Sequence, residues 1–352
     1  MAKPAPEGEY VSKRALITGI TGQDGSYLAE HLLELGYQVW GMIRGQADPQ
    51  RSRIGHLAGE VSFVRGDLTD EGSLVAAVDI AQPDEVYNLG AMSFVPLSWQ
   101  QPKLTTDVNG TGVLRILDAI RTVCGLDTSR TAGGQIRFYQ ASSSEMFGKV
   151  TETPQHEATH LHPRSPYGVA KTYGHFITRN YRESFGMHGV SGILFNHESP
   201  RRGPHFVTRK ITLAVANIKN GRQEKLHLGN LDARRDWGYA RDYVRAMHLM
   251  LQRTTPTDYV IGTGRMHTVR EVLEVAFDAA GLNWQDHVVV DPTLVRPAEV
   301  DTLCADPASA SEELGWRTTT TFEELIRLMV EEDLRETGRE QSHTRPPLAP
   351  AW

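Results

Sequence analysis

The chain has 352 residues, enough for a large core and two lobes, and its formal charge of −6 with no polybasic run argues against a nucleic-acid partner. Its two cysteines lack metal or redox spacing, which excludes a disulfide framework and fits a reducing cytoplasm. The first residues lack the apolar region of a signal peptide, and no run approaches the ~18 apolar residues of a membrane span, so a soluble cytoplasmic protein is expected.

Arg14–Thr18 is a short apolar run of the kind that forms a buried parallel strand. Gly19-Ile-Thr21-Gly22-Gln23-Asp24-Gly25 follows, then a helical apolar pattern through Tyr27, Leu28, Leu32 and Leu35 closed by Gly36, then a strand at 38–44. The alternation continues with strands at 61–64, 84–89, 135–140 and 190–196 and helices at 72–80, 106–122 and Pro166–Phe185. This order predicts a Rossmann-like, doubly wound parallel sheet, an α/β fold whose ligands bind at the carboxyl ends of the strands. After about residue 200, helical stretches at 209–220, 241–252, 268–280 and 321–336 are interleaved with short strands at 225–228 and 288–290. The expected organisation is a dinucleotide-binding domain over 13–200, joined by some later segments, and a smaller mixed substrate lobe over 201–338. Residues 1–12 and 339–352 read as tails, and 124–134 as a surface loop.

Glycines at 19, 22 and 25 between a strand and a helix let the backbone turn sharply and place a pyrophosphate at the helix N-terminus. Thr21, Gln23 and Asp24 share that turn. Arg44 stands where an acidic residue would bind the 2′-hydroxyl of NAD, and a cation there suits the 2′-phosphate of NADP. Asp67 and Leu68, then Leu89, Gly90, Ala91 and Ser93, fall at further strand ends and complete the expected cofactor side.

Tyr167 and Lys171 are one helical turn apart, and an ammonium beside a phenol is expected to lower the phenol's pKa towards neutrality, making it a base for a hydroxyl proton. Ser143 is placed to hydrogen-bond the same oxygen. Glu145 supplies a carboxylate that enzymes restricted to oxidising and re-reducing a carbinol do not need, whereas removal of a carbon-bound proton beside a new ketone requires one. The local alternative is that Ser142–Ser144 form a polar turn and Glu145 caps the next segment. His156-Glu157-Ala158-Thr159-His160 matches the zinc motif HExxH, but it is hemmed by Pro154, Pro163 and Pro166 and carries no helical stripe, so no metal site is expected. Cations at Arg201-Arg202, Lys210, Arg234-Arg235 and Arg296 suit a nucleotide diphosphate in the second lobe.

Ile17-Thr-Gly-Ile-Thr-Gly-Gln-Asp-Gly-Ser-Tyr-Leu28, Tyr139-Gln-Ala-Ser-Ser-Ser-Glu145, Pro163-Arg-Ser-Pro-Tyr-Gly168, Leu194-Phe-Asn-His-Glu-Ser-Pro-Arg-Arg-Gly203, Gly229-Asn-Leu-Asp-Ala-Arg-Arg-Asp-Trp-Gly238 and Arg296-Pro-Ala-Glu-Val-Asp301 carry a resemblance over roughly 13–336. The chain resembles the GDP-mannose 4,6-dehydratases among the extended short-chain dehydrogenases/reductases. The resemblance implies a lyase that uses tightly bound NADP to turn GDP-mannose into its 4-keto-6-deoxy product, by oxidation at C4, elimination of water across C5 and C6, and reduction at C6. It implies Tyr167 as the C4-hydroxyl base, Lys171 as its electrostatic partner, Glu145 as the C5 base and Ser143 as the hydrogen-bonding hydroxyl. It places His197 and Arg202 on the cofactor, and Ser93, Asn196, Lys210, Arg235, Arg296 and Glu299 on the substrate. A homodimer or homotetramer is implied, built through the helices at 106–122 and 166–185. The chain departs from the family pattern at Ser143 (commonly Thr), at Gly45 (commonly Arg), at Met92-Ser93-Phe94 (commonly Gln-Ser-His) and at Leu104 (commonly Tyr).

Overall fold

The structure, a computed structural model, describes residues 12–45, 48–126, 136–294 and 302–343. The first half alternates as β1 (Arg14–Thr18), α1 (Gln23–Glu34), β2 (Gln38–Ile43), β3 (Ser62–Arg65), α2 (Glu71–Ala81), β4 (Glu85–Asn88), α3 (Val95–Gln100), α4 (Pro102–Thr106), α5 (Gly112–Cys124), β5 (Arg137–Ser143), α6 (Pro166–Phe185) and β6 (Gly189–Leu194). There follow β7 (Asn196–Glu198), α7 (Val207–Lys219), β8 (Leu226–Leu228), β9 (Arg234–Arg235), β10 (Trp237–Tyr239), α8 (Ala240–Gln252) and β11 (Tyr259–Ile261). The described chain ends through β12 (His267–Thr268), α9 (Val269–Ala279), β13 (Val288–Val290), β14 (Thr302–Leu303), α10 (Ala308–Leu314) and α11 (Phe322–His343).

Seven strands pair in parallel in the order β3-β2-β1-β4-β5-β6-β11. Side chains alternate across this sheet, as strand geometry requires. Leu16, Val86 and Phe138 join the core under α2 and α5, while Ala15, Ile17, Tyr87 and Tyr139 join the core under α1 and α8. Both faces are covered, which is why the strands read as continuous apolar runs. Strand order reverses between β1 and β4, opening a crevice at their carboxyl ends.

Four details differ from the sequence expectation. The helix expected at 106–122 begins at Pro102 and contains a π turn, Asp107–Thr111, before α5. That wide turn buries Asn109, whose Oδ1 accepts from the Met92 N–H at 2.8 Å and whose Nδ2 donates to the Met92 carbonyl at 2.9 Å, pinning the loop after β4. The strand expected to reach 196 ends at Leu194, and Asn196–Glu198 leaves the main sheet to pair with β10. Tyr259–Ile261 adds an edge strand too short to read from periodicity. Finally, α11 continues to His343, past the expected start of the tail, whose remaining residues 344–352 lie outside the described residues.

The HExxH stretch has a mechanical role. The Glu157 carboxylate accepts from the Val260 N–H at 2.8 Å and from Ser309 Oγ at 3.2 Å, so it satisfies the edge strand β11 from outside the sheet. Nearby, buried Gln155 accepts from the Cys304 N–H at 2.9 Å and exchanges backbone bonds with Cys304 and Asp306, tying this loop to the segment after β14. Replacing Glu157 by Ala should lower the unfolding free energy by about 1–3 kcal/mol, because a buried strand N–H loses its acceptor. Urea denaturation measures this, and unchanged stability would show that the edge strand does not need the carboxylate.

Candidate active site

A cavity of about 680 Å³ opens at the carboxyl ends of β1, β4, β5 and β6. Its floor is the glycine turn. Gly19 has φ +70°, and a Cβ there would lie 2.8 Å from the Gly90 nitrogen; a Cβ on Gly25 would lie 2.4 Å from the Gly19 oxygen. Only glycine allows α1 and the loop after β4 to close on the turn in this way. Thr18 Oγ1 locks the junction, accepting from the Leu89 and Gly90 N–H groups at 3.1 and 2.9 Å and donating to Asn88 Oδ1 at 2.7 Å.

The first residue before α1, Gly22, offers no side-chain cap, so the first amides of the helix are left for an anion. Arg202 lines the same cavity, with its Nε paired to Glu198 Oε2 at 3.2 Å. These features fit a dinucleotide pyrophosphate. Beside them, His197 Nε2 lies 2.9 Å from Asp24 Oδ2, His197 Nδ1 donates to the Phe195 carbonyl at 2.7 Å, and Gln23 bridges Asp24 and the His197 carbonyl at 2.9 and 3.0 Å. Burial pushes the Asp24 carboxyl up, but the His197 charge and hydrogen bond win and hold it at about 2. Burial opposes the His197 charge, yet Asp24 raises its pKa. Each partner thus favours the charged form of the other, and the contact ties the first turn of α1 to the crossing from β6 to β7.

The catalytic candidates stand on α6 and the end of β5. Ser165 caps α6 by accepting from the Gly168 N–H at 3.0 Å, Pro166 occupies the first turn, and Gly186 ends the helix at φ +63°; the helix has the limits expected from sequence. Tyr167 and Lys171 are buried on one face, with Lys171 Nζ 5.8 Å from the centre of the Tyr167 ring. Lys171 donates to the Ala141 carbonyl at 2.8 Å. The expected depression of the phenol is not found in the protein alone. Burial pushes Tyr167 up to about 12, with a Ser143 hydrogen bond and the Arg202 charge lowering it and Glu145 raising it. Burial also lowers Lys171 to about 8, against the pull of Asp24. The reason is desolvation: a fully enclosed phenol resists ionisation more than a lysine that is itself half-discharged near pH 8 can repair.

The cavity brings together Ser143, Glu145, Tyr167 and Lys171 with Gly19, Thr21, Gly22, Gln23, Asp24 and Gly25. Arg44 lines it after β2, Asp67 and Leu68 after β3, Leu89, Gly90, Ala91 and Ser93 after β4, and Asn196, His197 and Arg202 beyond β6. Burial raises the Asp67 carboxyl, but hydrogen bonds from Thr69 outweigh it and lower its pKa. Ser143 also accepts from the Glu145 N–H at 3.2 Å, the local polar turn that the sequence offered as an alternative. Lys210 and Arg235 do not line the cavity. Lys210 Nζ donates to the His227 carbonyl at 2.7 Å, and Arg235 lies on β9, between β12 and β14. Arg296 and Glu299 lie outside the described residues. Phe206, Val95 and Val108 line the cavity and carry no motif that marks them in the sequence.

Competitive labelling with acetic anhydride should find the Lys171 amine half-titrated near pH 8 in the ligand-free chain. Titration at the ordinary lysine value would show that burial does not discharge it.

This geometry has close counterparts. A family model described as GDP-mannose 4,6 dehydratase matches residues 16–329. GDP-mannose 4,6 dehydratase 1 of Arabidopsis thaliana is 51% identical over 337 residues, covering 94% of this chain and 92% of its own. The Homo sapiens GDP-mannose 4,6 dehydratase is 48% identical over 360 residues, covering 95% of each. Among solved structures, UDP-glucose 4-epimerase of Thermus thermophilus in complex with NAD matches with a TM-score of 0.78 at 28% identity, over 91% of this chain and 98% of the other. A nicotinamide-type cavity, a Tyr–Lys pair and an adjacent glutamate thus sit on a chain that belongs to the GDP-mannose 4,6-dehydratase family.

Proposed function

We propose that this chain converts GDP-α-D-mannose to GDP-4-dehydro-6-deoxy-D-mannose and water, with NADP as a cofactor that is restored in each turnover. The observation that carries this reading is Glu145 in the same cavity as Tyr167, close enough for its charge to raise the phenol's pKa. A 4-epimerase has no use for that carboxylate. A nicotinamide cofactor held against the glycine turn and Tyr167 would supply a hydride acceptor for C4 of the sugar and a hydride donor for C6.

The protein's own residues move the protons. Tyr167 takes the proton of the C4 hydroxyl, with Ser143 sharing the oxygen and Lys171 supplying positive charge one helical turn away. Glu145 takes the C5 proton, which the new C4 ketone has made acidic, and returns a proton to the C6 hydroxyl as it leaves as water. The proton held by Tyr167 then goes to C5, so substrate and products balance without an outside acid. Arg44, at the end of β2 and exposed at the cavity edge, supports the 2′-phosphate of NADP over NAD. Ser93 and Asn196 are assigned to the sugar nucleotide, with Lys210, Arg235, Arg296 and Glu299 towards its nucleotide end.

A homodimer or homotetramer is proposed through α4 to α6, where Val169, Tyr173 and Phe176 recur on one exposed face of α6 and Leu104 is exposed on α4. Cys124 and Cys304 are free, in keeping with a cytoplasmic enzyme, and no helix among the described residues is long and apolar enough to cross a membrane.

Incubation with GDP-mannose and NADP should yield a nucleotide sugar lighter by one water, without net build-up of reduced cofactor. Loss of water from a UDP- or dTDP-sugar but not from GDP-mannose would reassign the substrate. Glu145→Gln should reduce turnover by about 10²–10⁴ and leave reduced cofactor standing, whereas Tyr167→Phe should reduce it comparably with no reduced cofactor formed. Full activity of the Glu145 variant would remove that residue from the mechanism.

A further inference from the structure

Arg202 is a cavity-lining cation whose side chain is held in an unusual way. Its Nε lies 3.2 Å from Glu198 Oε2 but makes no hydrogen bond, and that same carboxylate oxygen already accepts from the Thr208 hydroxyl. What fixes its plane is the ring of Phe206, with the guanidinium carbon 3.6 Å from the ring centre. Phe206 in turn meets Phe94 edge-on, with centres 5.6 Å apart and planes at 74°, and Phe94 also lies 5.7 Å from the ring of His205. Phe94 belongs to the loop after β4, and Phe206 immediately precedes α7. The stack therefore joins two loops that leave different strands, with Phe206 lining the cavity.

We propose that Phe94 and Phe206 form an aromatic latch that positions the Arg202 guanidinium for a phosphate of the bound dinucleotide. The inference rests on the dinucleotide reading of the cavity and adds two positioning residues to it. A guanidinium paired through Nε with one carboxylate can still tilt about that contact, and a ring on its face limits the tilt without claiming its other N–H groups. Those groups stay available for an anion. The apolar edge-to-face contact of Phe94 backs the Arg202 platform from behind Phe206. The charge held there also acts on the chemistry, since Arg202 lowers the pKa values of both Tyr167 and Asp24.

The test is a double-mutant cycle read by calorimetric titration of NADP into the purified chain, with melting temperatures recorded for each variant. Phe206→Leu should weaken binding about tenfold, the scale of a desolvated cation–π contact, and Phe94→Leu should give a smaller loss in the same direction. Phe206→Tyr, which keeps the ring, should bind as the parent does. In an Arg202→Gln background, Phe206→Leu should add nothing. Should Phe206→Leu lower the melting temperature, Phe94→Leu in the Arg202→Gln background carries the same comparison. Losses that add in full would show that the rings act through packing alone and would overturn the latch. A parent chain that binds no nicotinamide dinucleotide would instead reject the reading on which the latch rests.

Discussion

Burying an ammonium beside a phenol is the constraint around which this site is built. Lys171 is 4% exposed, and enclosure of that kind drives a lysine towards its neutral form. Two things oppose that here. One is the Ala141 carbonyl at the end of β5, which accepts a hydrogen bond from the ammonium. The other is the charge of Asp24, in the first turn of α1, which His197, Gln23 and Arg202 all favour. His197 is oriented by the Phe195 carbonyl and stacked on Tyr243 at 4.7 Å. The lysine's charge thus depends on contributions from β5, α1 and the crossing from β6 to β7, and the fold has to bring all three to one point.

The phenol is on the other side of the same balance. Its neutral form is favoured by burial, and Ser143 and Arg202 are the groups that draw it back. Arg202 thus biases the proton equilibrium of Tyr167, and the proposed latch of Phe206 and Phe94 would link that bias to cofactor recognition. Glu145 opposes it, its charge raising the phenol's pKa. The helix α6 presents Tyr167 and Lys171 in fixed relation because Ser165 and Pro166 start it at one residue and Gly186 stops it at another.

Much of the scaffold could be read in advance. Runs such as Arg14–Thr18 are apolar on both faces because helices cover both faces of a parallel sheet, and α6 was legible to the residue because its capping chemistry is local. Elements escaped where their cause is not local. β11 is three residues long and exists because β6 and the Glu157 carboxylate offer its backbone partners. The π turn before α5 is settled by Asn109 meeting Met92, and the end of β6 by β5 having stopped opposite it. Within the site, the motif residues at the ends of β1, β4 and β5 line the cavity, whereas Arg235 at the end of β9 does not, and Phe206, against Arg202, carries no periodic or chemical signature.

The sequence by itself determined the sheet order's raw material, the glycine turn, the Tyr–Lys spacing and the presence of Glu145, since each depends on neighbours within a few residues. Tertiary structure alone decided the ionisation of that machinery. Tyr167 is held near 12 and Lys171 near 8 by the loss of water and by Asp24, Arg202 and Glu145, which stand far away along the chain. Spacing encodes which side chains share a helical face, but solvation and charge act through space, and only the folded chain defines that space.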